Sequence, residues 1–229
     1  MLFTWDTVLK LSDFETDIHV EPSYTSKHTL VLGAFVRKRI FDVVFSSLVA
    51  FFFLSWMIPL VALCIKLDSK GPVFFKQLRT GKDGKPFYCL KFRSMRTSAD
   101  AHLRQASRGD NRITKLGAFL RKTSIDEFPQ FINVLKGEMS VVGPRPHMIR
   151  HTEDYSKVID NFMDRHMVMP GITGLAQVSG YRGETKEVAA MAKRVHADIR
   201  YLYNWSFLLD VKIVLRTMLQ VFKNNQDVF

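Results

Sequence analysis

Asp126 and Glu127 are neighbouring carboxylates in the octapeptide Thr123-Ser124-Ile125-Asp126-Glu127-Phe128-Pro129-Gln130. Two acids at the start of a helix can divide labour. A helix N-terminus favours the ionised form of a carboxylate, so Asp126 is expected to stay charged and available as a nucleophile. Successive helical residues point about 100° apart, so Glu127 would face elsewhere and could hold a metal ion. The competing reading is structural: both acids complement the helix dipole and do no chemistry. Further on, Gly143-Pro144-Arg145-Pro146-His147 displays one arginine on a turn whose backbone is restricted by prolines. That restriction lowers the entropic cost of presenting a cation, although a plain structural corner fits the same residues.

These groups need elements to position them. Ser124 and Glu127 have capping-box spacing, and Pro129 is tolerated in a first turn. Phe128, Phe131, Ile132 and Leu135 then fall on one expected buried face, and Lys136-Gly137 closes the helix. Residues 98–122 read as a charged helix. Upstream, Gly71–Gln77 and Phe87–Phe92 flank Lys82-Asp83-Gly84-Lys85, which predicts a β-hairpin across an Asp-Gly turn. Lys91, Arg93 and Arg96 lie at its end, where a solvated or lipid-facing surface is the simplest reading. Pro170-Gly171-Ile172-Thr173-Gly174-Leu175-Ala176-Gln177 is a second Gly/Pro corner. The stretch from Asn204 to Phe222 sets Leu209, Ile213, Met218 and Phe222 among Lys212 and Arg216. It fits either a basic amphipathic helix lying in a membrane interface or a helix packed on the core.

The formal net charge of +11 over 229 residues implies an acidic partner, whether nucleic acid, anionic lipid or a phosphorylated substrate. Two cysteines, Cys64 and Cys89, give no disulfide framework, and a reducing compartment is expected. The N-terminus shows no cleavable signal pattern, and Trp5, Val8, Leu9 and Leu11 fit a short amphipathic helix or a docked arm. Val43–Ile65 is an uncharged, mostly apolar run of about 23 residues, long enough to span a bilayer. Both flanks are basic, Arg37-Lys38-Arg39 before it and Lys66, Lys70 and Lys76 after it. Positive flanks mark the cytoplasmic side, and a spanning helix would put one of them outside. Ser55-Trp56-Met57-Ile58-Pro59 interrupts the run, and proline kinks helices. The arm Val43–Leu54 is only about 18 Å long, too short to cross alone. A re-entrant hairpin broken between Ser55 and Pro59 accommodates both facts; a spanning helix is the alternative.

In order and spacing, these segments resemble the bacterial sugar transferase family, monotopic phosphoglycosyl transferases that move a sugar 1-phosphate from a nucleotide sugar to polyprenyl phosphate. The likeness runs from about Arg37 to Phe222. It is carried by Lys38-Arg39-Ile40-Phe41-Asp42, Leu67–Phe75, Lys91-Phe92-Arg93-Ser94-Met95, Asp126-Glu127, Asn133–Ser140, Gly143-Pro144-Arg145-Pro146 and Pro170-Gly171-Ile172-Thr173-Gly174. The resemblance implies that Asp126 attacks the β-phosphate of a UDP-sugar and releases UMP, that Glu127 holds Mg²⁺, and that polyprenyl (undecaprenyl) phosphate collects the phosphosugar. Arg121 and Arg145 match family positions near the substrate phosphates, with Lys91 and Arg93 flanking them. Gly180–Glu184 and Asn204-Trp205-Ser206 look like members that transfer hexose 1-phosphates, glucose or galactose. Two departures stand out: Trp56 follows Ser55 where the family often has proline, and Leu175 replaces a frequent tryptophan.

The expected fold is mainly α with a small β-hairpin, in a monotopic membrane protein with a re-entrant helix-break-helix and interfacial amphipathic helices. Residues 1–36 are expected to form an N-terminal extension, 37–70 the membrane hairpin, and 71–229 a cytoplasmic catalytic domain ending in an interfacial helix. The multi-span N-terminal domain of larger relatives is expected to be absent. The implied location is the bacterial inner membrane, cytoplasmic face, at the start of exopolysaccharide, capsule or O-antigen assembly. A homodimer is an option and nucleic acid is not an expected partner, since no binding motif accompanies the charge. The second reading is a catalytically inactive membrane scaffold that binds lipid phosphates; intact Asp126, Glu127 and Arg145 argue against it.

Overall fold

The computed structural model describes residues 28–96, 109–183 and 187–222. The expected helix over 98–122 therefore lies partly outside the described residues, and of its described part only Lys115–Lys122 is helical; Trp5–Leu11 and most of the extension also lie outside. The described residues from Val36 onward belong to one compact unit, and all contacts below lie within it.

Helix α1 (His28–Val49) runs into a π-helical turn (Ala50–Leu54) and on into α2 (Ser55–Asp68). The expected break between Ser55 and Pro59 is thus not a break: the chain stays helical, and the irregularity sits one turn earlier. There the Ser55 N–H donates to the Ala50 carbonyl, five residues back. Side chains take up the displaced carbonyls: Ser55 Oγ donates to Phe51 O (2.6 Å) and Trp56 Nε1 to Phe52 O (2.7 Å). Trp56, which departs from the family pattern, thus satisfies the backbone through its indole. π turns commonly coincide with helix bends.

From Phe35 to Asp68 this run is long and apolar enough to cross a membrane, and most of it is exposed. Phe51 is 72% and Leu67 80% exposed, with Phe52, Trp56, Leu60 and Leu63 also bare. Apolar side chains in that number fit association with a membrane. The opposite face is tied to the rest of the unit. Buried Asp42 accepts from Ser140 Oγ (3.0 Å) and the Val141 N–H (2.9 Å). Lys38 donates to Asp210 (2.8 Å), a fully buried acid that also accepts from Tyr201 and Trp205. Beyond the π turn, Met57, Val61 and Ile65 pack with Phe92 and Leu120 in one core cluster.

The hairpin forms as expected: β1 (Phe74–Thr80) pairs antiparallel with β2 (Pro86–Phe92) around a turn with Asp83 and Gly84 at positive φ. α3 (Lys115–Lys122) starts at Thr114, whose side chain accepts from the Gly117 N–H. α4 (Gln130–Lys136) closes at Gly137 in the left-handed region, and Asn133 pins it to β2 through the Leu90 N–H and Tyr88 carbonyl. The expected buried face of α4 is wrong. Asn133, Val134 and Gln130 are buried, whereas Leu135 is exposed and Phe128, Phe131 and Ile132 are half-buried. Asn133 must face β2 to bond it, and that rotates the phenylalanines toward α1, where Phe45 lies against Phe131.

β3 (Ser140–Val142) and β4 (Gly171–Thr173) make a short parallel pair that the sequence reading missed. Gly143 and Gly171 touch there, and a Cβ on either would overlap the other segment's backbone. α5 (Ile149–Tyr155), α6 (Leu175–Val178) and α7 (Val188–Tyr203) follow. α8 (Phe207–Phe222) packs on the core, as one of the two expected readings has it: Asp210, Ile213 and Val214 are buried, while Phe207, Leu208, Leu215, Met218 and Leu219 remain exposed.

Candidate active site

Asp126 and Glu127 ride on a 3-10 turn, Ile125–Glu127, between α3 and α4. The turn is set by Ser124, whose φ of 57° is left-handed, an uncommon conformation for a residue with a Cβ that often marks functional strain. The expected capping box is absent: the Ser124 side chain makes no cap hydrogen bond. Left-handed backbone turns it out of capping position, and the Glu127 carboxylate is taken by other partners.

Those partners are Arg145 and Lys91. Arg145 grips Glu127 with both terminal nitrogens, Nη2 to Oε1 at 2.5 Å and Nη1 to Oε2 at 3.1 Å. Lys91 Nζ lies 2.6 Å from Oε1. Burial alone would push the Glu127 carboxyl up, but Arg145 and then Lys91 outweigh it and hold it well below the usual carboxylate range. Asp126 behaves oppositely to expectation. It is 6% exposed, and burial pushes its pKa up to about 6, with Lys91 opposing and Glu127 adding to the rise. Burial outweighs the attraction expected of a helix terminus because charge leaving water is penalised more than a short turn compensates. Asp126 is therefore mostly ionised at pH 7, though by a narrow margin.

Arg121, in the last turn of α3, adds a third cation felt by Asp126. Arg79 is a fourth that the sequence reading missed. It is anchored by Gln77 and by the Pro146 carbonyl (2.6 Å), and its charge is felt at Glu127 and Arg145. Arg93, expected beside the substrate, also lines the cleft, while its guanidinium donates to the carbonyls of Ile65, Ser69 and Lys70 and closes the C-terminus of α2. Lys91 had a signal in the sequence. It shares a hairpin face with Phe87 and Cys89, both buried, so its ammonium is directed inward rather than to solvent.

The acid pair opens on a cleft of ≈ 1480 Å³. One wall is cationic, with Arg79, Arg121 and Arg145; another is apolar, with Phe45, Val49 and Phe53 of the membrane segment. Four cations facing two carboxylates suit a phosphorylated ligand. Among the described residues no cluster of three metal-binding side chains occurs. That is compatible with Mg²⁺, which is usually held by one or two carboxylates together with substrate phosphates. Glu127, ionised and fixed by Arg145, is the donor that fits.

The model of bacterial sugar transferases matches residues 33–224. The chain belongs to that family. It is similar to a UDP-glucose:undecaprenyl-phosphate glucose-1-phosphate transferase of Klebsiella pneumoniae, with 44% identity over 224 residues, covering 97% of this chain and 48% of the relative. A transferase of the same name from Escherichia coli (strain K12) is 50% identical over 188 residues, 82% of this chain and 40% of the relative. One from Caulobacter vibrioides is 49% identical over 184 residues, 80% of this chain and 68% of the relative. The chain thus spans about half or less of the first two relatives. Within this bacterial sugar transferase, the structure brings Asp126, Glu127, Lys91, Arg121 and Arg145 to one cleft, while Ser55 and Pro59 lie on the exposed side of the membrane segment.

Proposed function

We propose that the protein transfers a sugar 1-phosphate from a UDP-sugar to polyprenyl (undecaprenyl) phosphate and releases UMP. An Asp126 carboxylate oxygen attacks the β-phosphorus, the bond to UMP breaks, and the phosphosugar remains on Asp126. An oxygen of polyprenyl phosphate then attacks the same phosphorus and frees the carboxylate. Lys91, Arg121 and Arg145 offset charge around that phosphorus, and Glu127, held by Arg145, is the ligand for Mg²⁺. The ion, when bound, supplies charge neutralisation on the diphosphate. A hexose, glucose first, is supported by the names of the relatives. The observation that carries the reading is the buried Asp126, its pKa raised to about 6, beside a cation-locked Glu127, in a cleft walled on one side by the membrane segment.

The same reading has the segment 37–70 enter and leave a bacterial inner membrane on its cytoplasmic face. Support comes from contacts on both sides of the π turn: Lys38 and Asp42 before it and Met57, Val61 and Ile65 after it all engage one compact unit. Cysteines placed at residues 37 and 70 are then labelled from the cytoplasmic side alone; labelling on opposite sides means a spanning helix. For the chemistry, purified protein is given UDP-sugars, polyprenyl phosphate and Mg²⁺. UMP release that stops with chelator, Asp126→Ala or Glu127→Ala supports the reading, and turnover by Asp126→Ala defeats it.

A further inference from the structure

Arg165 is the largest side chain fully withdrawn from solvent among the described residues, yet it touches neither Asp126 nor Glu127. It lies in a 3-10 segment, Phe162–Met167, behind the turn that carries Arg145. Its guanidinium serves three partners. Nη2 donates to the Arg145 carbonyl (2.8 Å) and pairs with Asp198 Oδ2 of α7 (2.5 Å). Nη1 meets His147 Nδ1 at 2.6 Å. Burial, reinforced by Arg165, keeps the His147 ring neutral, so Nδ1 accepts. The ring is stacked on Phe162, as is the guanidinium itself.

A buried ion pair is poor value as a source of stability, because desolvation cancels most of the attraction. Its geometry indicates another use. Pro144 and Pro146 fix their own φ, but nothing in their rings fixes Arg145. Neighbouring segments hold the rest of the turn: the Gly143 N–H donates to Thr173 O, the Gly171 N–H to Pro144 O, Arg79 to Pro146 O and the Thr80 N–H to His147 O. Arg165 adds the carbonyl of Arg145 itself and the His147 ring two residues on, so it acts at the arginine that grips Glu127.

We propose that Arg165, oriented by Asp198, is a positioning residue for phosphosugar transfer, holding the Gly143–His147 turn so that Arg145 meets Glu127 in a fixed fork. This rests on the function proposed above. A lysine keeps the charge but cannot serve three acceptors from one plane, and Asp198→Asn keeps the shape while removing the charge that orients Arg165.

The test is a double-mutant cycle on UMP release from UDP-glucose, in the full chain in lipid nanodiscs. Arg165→Lys and Asp198→Asn each lower kcat on the order of 10- to 100-fold, as displacements of about 1 Å do. In the Arg145→Ala background, adding either change costs almost nothing further. Losses that multiply in that background overturn the proposal. Independently of turnover, amide hydrogen exchange across residues 143–148 rises in both variants while residues 115–122 are unchanged; an unaltered turn also overturns it. Should the wild-type chain release no UMP, the functional reading fails and the exchange measurement alone decides the positioning role.

Discussion

Replacing Asp126, the proposed nucleophile, is expected to make the protein more stable. Asp126 is 6% exposed, and its pKa rises from 3.8 to about 6 in the fold, burial outweighing Lys91, Arg121 and Arg145. A raised carboxyl pKa means that the folded chain binds the proton more tightly than the unfolded chain. The stabilisation conferred by the protonated acid is complete below pH 4 and is lost as pH climbs through 6. Above that, holding Asp126 ionised costs about 3 kcal/mol, each pH unit of displacement being worth about 1.4. Asp126→Asn keeps the shape and removes that cost. Melting of wild type and Asp126→Asn in nanodiscs, followed by circular dichroism from pH 4 to 8, reads the difference. The variant should melt roughly 6–12 °C higher at pH 7.5, with the gain shrinking below pH 6 and vanishing near pH 4, while turnover is lost throughout. A variant less stable at neutral pH, or a gain that ignores pH, refutes the burial argument.

Lys91 is the largest charge opposing the rise at Asp126. Lys91→Gln therefore moves the acid limb of the kcat/KM profile about one pH unit upward, with activity partly recovered at pH 8.5; an unmoved limb counts against the assignment. Asp210, wholly buried under Lys38, Tyr201 and Trp205, ties α1 to α8. Asp210→Asn should cost about 3 kcal/mol in urea unfolding, and a loss below about 0.5 kcal/mol would show the pair to be idle. Gly117 packs on the Ser94 backbone, where a Cβ would overlap the carbonyl. Gly117→Ala should destabilise by about 1–3 kcal/mol, and a wild-type melting temperature would contradict that packing.

The candidate site residues were legible as candidates because their types are costly to place idly. Adjacent acids at a helix start and an arginine between prolines stand out by type, whereas Lys91 reads as surface charge, and the family resemblance alone suggests roles for them. The hairpin was legible from its Asp-Gly turn, and the membrane segment from length and flanks. What stayed hidden depends on tertiary context. Ser124 has capping-box spacing, but the chain must reverse there and adopts a left-handed backbone instead. Asp126 seemed destined for a low pKa because sequence carries no measure of burial. β3 and β4 are three residues each and pair only after a long excursion, so no local pattern announces them. Arg165 and Asp198 carry no local signal, because they pair only once α7 packs on the 3-10 segment, and the bonds of Arg93 to the end of α2 likewise exist only in the fold.

The central claim is that Asp126 carries the phosphosugar. Intact-mass and peptide mass spectrometry on protein incubated with UDP-glucose and Mg²⁺, without lipid acceptor, tests it most directly. The predicted result is one hexose phosphate per chain on the peptide containing Asp126, formed with stoichiometric UMP and discharged by added polyprenyl phosphate. Absence of the adduct in a preparation that turns over with acceptor, or its presence in Asp126→Asn, contradicts the account.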